Sequence, residues 1–229
     1  MRVTVGFTPA ERPSAPVGIV IDVLRATSTI CQALAAGWSQ VVCVGEVEHA
    51  RALAGPGVAL AGERHNLRID GFDFGNSPRE LLDAPPGETL VLTTTNGTRL
   101  LVAAAARFEQ DFVGSLLNLD AVADAARRGG GDVAVLCAGV LGELALDDAY
   151  CAGRIVAALG GDNEDSAEAA VRLAASFPDA LAGLGASRSA RNLRRHGLEA
   201  DIDWCARENA LDVVPRFVRT VGAAAEVSL

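Results

Sequence analysis

The chain has no lysine at all, so its twenty basic residues are all arginines. Any salt bridge to an anionic ligand must therefore come from a planar, often bidentate guanidinium. Aromatic residues are scarce, with two Trp, one Tyr and seven Phe among 229, while half of the residues are hydrophobic. Alanine, valine and leucine must build the core, which suits packed helix and sheet layers better than an all-β protein. The five cysteines (Cys31, Cys43, Cys137, Cys151, Cys205) are odd in number, widely spaced and free of any C-x-x-C pair. That pattern argues against a disulfide framework or a zinc site and for small buried thiols in a reducing cytosol. Positive charge is in deficit, with 29 acids against 20 bases and a net charge of −9. Neither nucleic acid nor an anionic membrane is an expected partner of such a surface. No uncharged apolar run reaches membrane-spanning length, and Met1–Val5 lacks the apolar segment of a signal peptide, so a cytoplasmic location is expected.

Also missing are a G-x-S-x-G elbow, a Walker loop, a G-x-G-x-x-G dinucleotide loop and a D-x-D-x-T/V phosphatase opening. The three histidines offer little by spacing. His49 sits on a helical pattern, His65 in a polar connector and His196 beside Arg194 and Arg195. Each is expected at the surface.

What the chain does have is a rhythm of short apolar runs alternating with helical patterns. Strands are predicted over Val17–Val23, Gln40–Val44, Val58–Ala61, Thr89–Thr94, Asp111–Gly114 and Asp132–Cys137. Helices are predicted over Ala26–Ala36, Val47–Ala54 and Leu100–Ala106, from near Asn118, and through Asp148–Leu159. A short helix should start at Ser77-Pro78, with Ser as N-cap and Pro at the first helical position. From Asp162 to Ala210 the pattern is of helical pieces, and Val213-Val214-Pro215 should open a last edge strand. This alternation predicts an α/β fold, a three-layer α/β/α sandwich with a mostly parallel, mixed sheet. No linker or repeat divides residues 1–229, so a single domain is expected.

Ligands of such sheets bind at the carboxyl ends of the strands, and polar clusters follow several of them. Asp22 ends the first long strand and is placed to hold a divalent cation, while Arg25, Thr27 and Ser28 at the next helix start could grip phosphoryl oxygens. The plainer reading is a capping Asp22 and a solvated Arg25. Glu63 could be a metal ligand or a base and Arg64 a substrate clamp, or the two an exposed pair. The connector from His65 to Asn76 is long enough to suggest a binding loop. Thr94, Thr95, Asn96, Gly97 and Thr98 end an apolar strand and open a helix, a recipe for an anion cradle to which Arg99 could add charge. The glycines Gly139 and Gly142 allow close backbone approach. Glu143, Asp147 and Asp148 offer carboxylates for a hard cation such as Mg²⁺, although Asp147 reads better as a helix N-terminal acid complementing the dipole.

Taken in order, Asp22-Val23-Leu24-Arg25-Ala26-Thr27-Ser28-Thr29, Gly62-Glu63-Arg64, Gly75-Asn76-Ser77-Pro78, Thr93–Thr98 and the stretch from Ala138-Gly139 to Asp148 closely resemble the 2-phosphosulfolactate phosphatase family of coenzyme M biosynthesis. The likeness runs from about Val17 to Gly160 and weakly to Pro215. One departure is Leu146-Asp147-Asp148, where the family would lead one to expect Glu before Asp. The resemblance implies a Mg²⁺-dependent phosphatase that converts (2R)-2-phospho-3-sulfolactate to (2R)-3-sulfolactate and phosphate. It implies a metal held by Asp22 with one or more of Glu63, Glu143 and Asp148. Asp22, Arg25, Glu63 and Asp148 would carry the catalysis. The Thr94–Thr98 loop, Thr27, Ser28, Asn76, Ser77, Gly139 and Gly142 would bind the substrate, with Arg25, Arg64 or Arg99 on its carboxylate and sulfonate. Two alternatives remain: a phosphatase of another small 2-phospho-hydroxy acid, and a non-catalytic binder of small anions. The expected partner is a small anionic phosphate ester, and no sequence feature demands a homo-oligomer.

Overall fold

A computed structural model describes residues 1–105 and 107–229, so Ala106, the end of one predicted helix, lies outside the described residues. The elements in chain order are β1 (Arg2–Gly6), β2 (Val17–Ile21), α1 (Ala26–Ala35), β3 (Gln40–Val44), α2 (Val47–Ala52), β4 (Val58–Arg64), β5 (Leu67–Arg68), β6 (Thr89–Thr93), α3 (Gly97–Ala104), β7 (Gln110–Gly114), α4 (Leu119–Gly129), β8 (Val133–Cys137), α5 (Leu146–Leu159) and β9 (Asp162–Asn163). The tail then forms α6 (Asp165–Ala175), α7 (Ala180–Gly185), α8 (Arg188–Arg195), α9 (Glu199–Cys205), β10 (Arg216–Val221) and β11 (Ala224–Ser228). Short 3₁₀ turns occupy Pro78–Leu81 and Leu116–Asn118.

The strands form one sheet in the order β5-β4-β6-β3-β11-β10-β7-β2-β8-β1-β9. Pairs such as β2–β8, β2–β7, β3–β6 and β4–β6 are parallel, and β11 runs antiparallel to β3. Side chains alternate across a strand, and the core divides accordingly. Ile19, Ile21, Val135 and Cys137 pack with α4, α5 and α6. Val20 and Leu136 point the other way, into a cluster with Ile30 and Leu34 of α1 and Leu100 and Leu101 of α3. Both faces of the central strands are therefore covered, which explains their unbroken apolar sequences.

Two elements differ from the sequence expectation. The opening Arg2–Gly6 is a strand, paired with β8 on one side and β9 on the other. Its alternation is short and includes Thr4, so it carries little signal beside the fully apolar runs. The strand expected after Val213-Val214-Pro215 is not an edge. Beginning at Arg216, it forms a hairpin with β11 through Gly222, whose φ of +60° suits a two-residue turn. This hairpin sits in the middle of the sheet, between β3 and β7. Pro215 is accommodated because it precedes the paired residues and only accepts, from the Val113 N–H at 2.9 Å. Toward β7 the hairpin makes one register pair, Arg216 with Phe112.

Four strands separate β2 from β6, about 24 Å in a flat sheet. Yet a Cβ on Gly97, just after β6, would collide with Asp22 Oδ2, just after β2. The two halves fold toward each other over α1 and α3, and their carboxyl ends meet.

Candidate active site

Where those ends meet, a cleft of about 310 Å³ opens, lined by Asp22 and Arg25 after β2, Glu63 at the end of β4, Thr94, Thr95 and Asn96 after β6, and Gly139, Asp147 and Asp148 after β8. Asn76, His65, Arg188, Ser189, Asn192 and His196 are also on its walls.

Asp22 is buried, and its Oδ1 accepts only a long bond, 3.4 Å, from the Ala26 N–H. Burial, reinforced by the negative charge of Asp147, raises its pKa to about 7. Gly97 is a glycine because any side chain would collide with this carboxylate, so the N-terminus of α3 approaches it directly. Asp147 is also buried, bonded by Ser189 Oγ at 3.2 Å, and burial raises its pKa to about 6. The reading of Asp147 as a mere dipole-complementing acid gives way here. The residue is in the first turn of α5, as expected, but its carboxyl lines the cleft beside Asp22.

Asp148 faces the cleft with both oxygens engaged. Oδ1 accepts from the Val23 N–H and Oδ2 from the Gly139 N–H, each at 2.9 Å, so it ties the end of β2 to the end of β8. Burial, then the charges of Asp147 and Asp22, push its pKa well up. Gly139 has φ +61° and lies against the Glu143 carbonyl, a turn that excludes a side chain. Glu63 is similarly occupied. Its Oε1 accepts from the Thr95 N–H and Oγ at 2.8 and 2.9 Å, and its Oε2 from the Asn66 N–H at 2.9 Å. It fixes the loop after β6.

The threonines of that loop serve one another. Thr98 N–H donates to Thr94 Oγ1 at 3.1 Å and Thr94 N–H donates to Thr98 Oγ1 at 2.9 Å, a reciprocal cap on α3. Thr94, Thr95 and Asn96 line the cleft, while Thr98 is fully buried beneath them. Asn96 accepts from the Leu141 N–H at 3.2 Å, joining this loop to the turn after β8. Asn76 is buried at the wall with its Oδ1 lacking a partner.

Several expected site residues have other work. Thr27 and Ser28 are fully buried and turn inward, donating to the Asp22 and Val23 carbonyls at 2.9 and 2.8 Å. A hydroxyl at a helix start finds its own backbone first, so neither reaches the cleft. Ser77 stands at the N-cap of the Pro78–Leu81 turn, as expected, but its Oγ donates to Asp201 Oδ1 at 2.7 Å and not to that turn. Arg64 braces the backbone, donating to the Glu63 and Gly45 carbonyls and to Thr93 Oγ1. Arg99 is exposed, pairs with Glu46 at 3.1 Å and lines a neighbouring hollow with Gly142. Glu143 is no candidate ligand: its side chain is 74% exposed and pairs with Arg188 at 3.3 Å on the surface.

Arg25 and its partner were only half legible. The guanidinium lines the cleft but is 3% exposed, and Nη1 donates to Asp201 Oδ2 at 2.7 Å. Asp201, on α9, gave no sequence signal, because the pair spans 176 residues. The α8 residues were readable in principle, since Arg188, Asn192 and His196 recur every fourth position and so share one helix face. The histidines are at the surface, as expected, yet His65 and His196 are on the rim of the cleft.

A family model described as 2-phosphosulpholactate phosphatase matches residues 4–220 of the chain. A protein of Thermus thermophilus called a probable 2-phosphosulfolactate phosphatase is 39% identical, with 98% of each chain covered. The 2-phosphosulfolactate phosphatase of Methanothermobacter thermautotrophicus is 38% identical over 95% of this chain and 92% of its own. A probable 2-phosphosulfolactate phosphatase of Clostridium acetobutylicum is 34% identical, covering 90% and 92%.

Proposed function

The chain belongs to the 2-phosphosulfolactate phosphatase family, and on that premise we propose that it hydrolyses the phosphate ester of (2R)-2-phospho-3-sulfolactate to (2R)-3-sulfolactate and phosphate, a step of coenzyme M biosynthesis, with Mg²⁺ as cofactor. The observation that carries this reading is Asp22, a buried carboxylate with one long hydrogen bond, facing Asp147 across a cleft at the strand ends.

The donor chemistry fits Mg²⁺. Asp22, Asp147, Asp148 and Glu63 bring four carboxylates to the cleft, and an anionic ester is repelled unless a cation stands between. Among the described residues no three His, Cys, Asp or Glu side chains form a ready cage. Mg²⁺ does not need one, since it keeps several waters and takes one or two carboxylates beside substrate phosphate. Asp22 and Asp147 are the residues that would hold it. Bound there, the ion would neutralise charge on the phosphoryl oxygens and favour attack by water. The chain's own residues do the positioning. Arg25, oriented by Asp201, grips a phosphoryl oxygen, while the backbone N–H groups at the N-terminus of α3 supply donors for the others. Asp148 and Glu63 hold the loops in register. We read the protein as a single-domain cytoplasmic enzyme, which its one continuous sheet and five buried thiols support. Among the described residues no helix is long and apolar enough to cross a membrane.

The test is phosphate release from synthetic 2-phosphosulfolactate, with Mg²⁺ and then with EDTA, beside 2-phospholactate and phosphoglycolate. Fast, metal-dependent release that prefers the sulfonate is the expected result. Preference for another ester keeps the chemistry and moves the substrate, and no release from any of them leaves an anion-binding protein.

A further inference from the structure

We propose that one face of α8 holds the second, non-reacting anion of the substrate, so that the site selects phosphate monoesters carrying a carboxylate or sulfonate a few bonds from the ester. This rests on the phosphatase reading and adds the residues that set specificity.

Arg188, Asn192 and His196 are spaced by four residues each, so they form a single stripe along the helix. All three line the cleft that contains Asp22 and Asp147. The helix is pinned against the carboxylates, because Ser189 Oγ donates to Asp147 Oδ1 at 3.2 Å. The first two residues of the stripe supply donors. Arg188 has five N–H groups and no acceptor. Arg195 Nη1 donates to Asn192 Oδ1 at 3.3 Å, which leaves the Asn192 Nδ2 hydrogens for a ligand. His196 Nδ1 lies 2.9 Å from the Asn192 carbonyl, so it donates there and closes the stripe without adding a further donor. The Arg188 guanidinium and the Asn192 amide hydrogens, on one wall of the cleft, suit an anion. The floor of the same cleft has the opposite polarity, being made of carboxylates that suit a cation. A substrate with two separated anions meets both needs: its phosphoryl group, with a metal, at the floor, and its other anion at α8.

Arg188 is free enough to take that role. Its pair with Glu143 is long, at 3.3 Å, with side chains 50% and 74% exposed. Exposed pairs of this kind are weak, so an incoming sulfonate or carboxylate can replace Glu143.

The experiment compares kcat/KM for 2-phosphosulfolactate with that for phenyl phosphate, which carries no second anion. It uses the wild type, Arg188→Gln, Arg188→Lys and Asn192→Leu, with Arg172→Gln on α6 as a control and melting curves for each. The ratio of the two values should fall at least about tenfold in Arg188→Gln, the scale of one charge-assisted contact. The loss should lie in KM, recover in part in Arg188→Lys, appear again in Asn192→Leu and be absent in Arg172→Gln. An active wild type whose ratio is unmoved by Arg188→Gln, or whose two activities fall equally, overturns the assignment of α8 alone. A wild type inactive on both esters overturns the phosphatase reading, and this inference with it.

Discussion

Asp22 and Asp148 make an instructive pair. Each follows the strands of the sheet's central parallel half, each is buried, and each has a pKa raised above that of an ordinary carboxyl. Their surroundings differ. Asp148 gives both oxygens to backbone N–H groups of two different strand ends, whereas Asp22 has one long bond from Ala26 and faces open space. A buried carboxylate with full hydrogen bonding is a piece of architecture. One left short of partners stores the cost of its own desolvation, and a ligand can relieve that cost.

The contrast is broken most severely by substitution at Asp22. Asp22→Asn should lower kcat/KM about a thousandfold or more, ~4 kcal/mol of transition-state stabilisation, while leaving the fold intact by melting curve and circular dichroism. Near-normal turnover would remove Asp22 from the chemistry. Asp201→Ala, which leaves the buried Arg25 without its partner, should cost about 3–4 kcal/mol of stability in urea unfolding. Asp148→Ala orphans two N–H groups and should cost about 2–3 kcal/mol, with activity lost only as far as the protein unfolds. If Asp148→Ala instead keeps full stability and loses turnover, the roles of the two aspartates must be exchanged.

A smaller effect sharpens the contrast by pH. A carboxyl whose folded pKa is about 7 contributes full stability below its unfolded value near 4. That contribution is lost as pH rises through about 7. Metal-free wild type should therefore lose stability between pH 4 and pH 8 relative to Asp22→Asn, read by urea unfolding at the two pH values. Mg²⁺ should restore the melting temperature at pH 8 in the wild type and not in the variant. The mildest change is Thr98→Ala, which leaves the buried Thr94 N–H without its acceptor and should cost about 1 kcal/mol in urea unfolding.

The sheet's parallel strands were legible because buried central strands are apolar runs bounded by polar loops, as Val17–Ile21 and Thr89–Thr93 are. Asp22, Glu63 and the Thr94–Asn96 loop were legible as cleft residues for the same reason: they stand where such runs end. What each polar group does there was not legible. Thr27, Ser28 and Arg64 have the composition of ligand-binding residues, but their nearest partners are their own backbone, a choice made by distances of a few ångströms. Asp201 and α8 come from the helical tail, and only tertiary packing brings them to Arg25, 176 residues before Asp201, and to Asp147, 42 residues before Ser189. The hairpin β10–β11 was missed because pattern reading takes a late, Pro-led strand as an edge.

That hairpin governs the order in which the molecule can assemble. It is synthesised after every other strand, yet it fills the gap between β3 and β7. Until it arrives, the growing chain has two partial sheets, each with a raw inner edge of unpaired N–H and C=O groups, an open template for pairing with another chain. The contacts that close the sheet join residues nearly 200 positions apart, such as Val41 with Val227, so closure is slow by topology. The continuous sheet beneath the two halves of the cleft is complete only with this last segment.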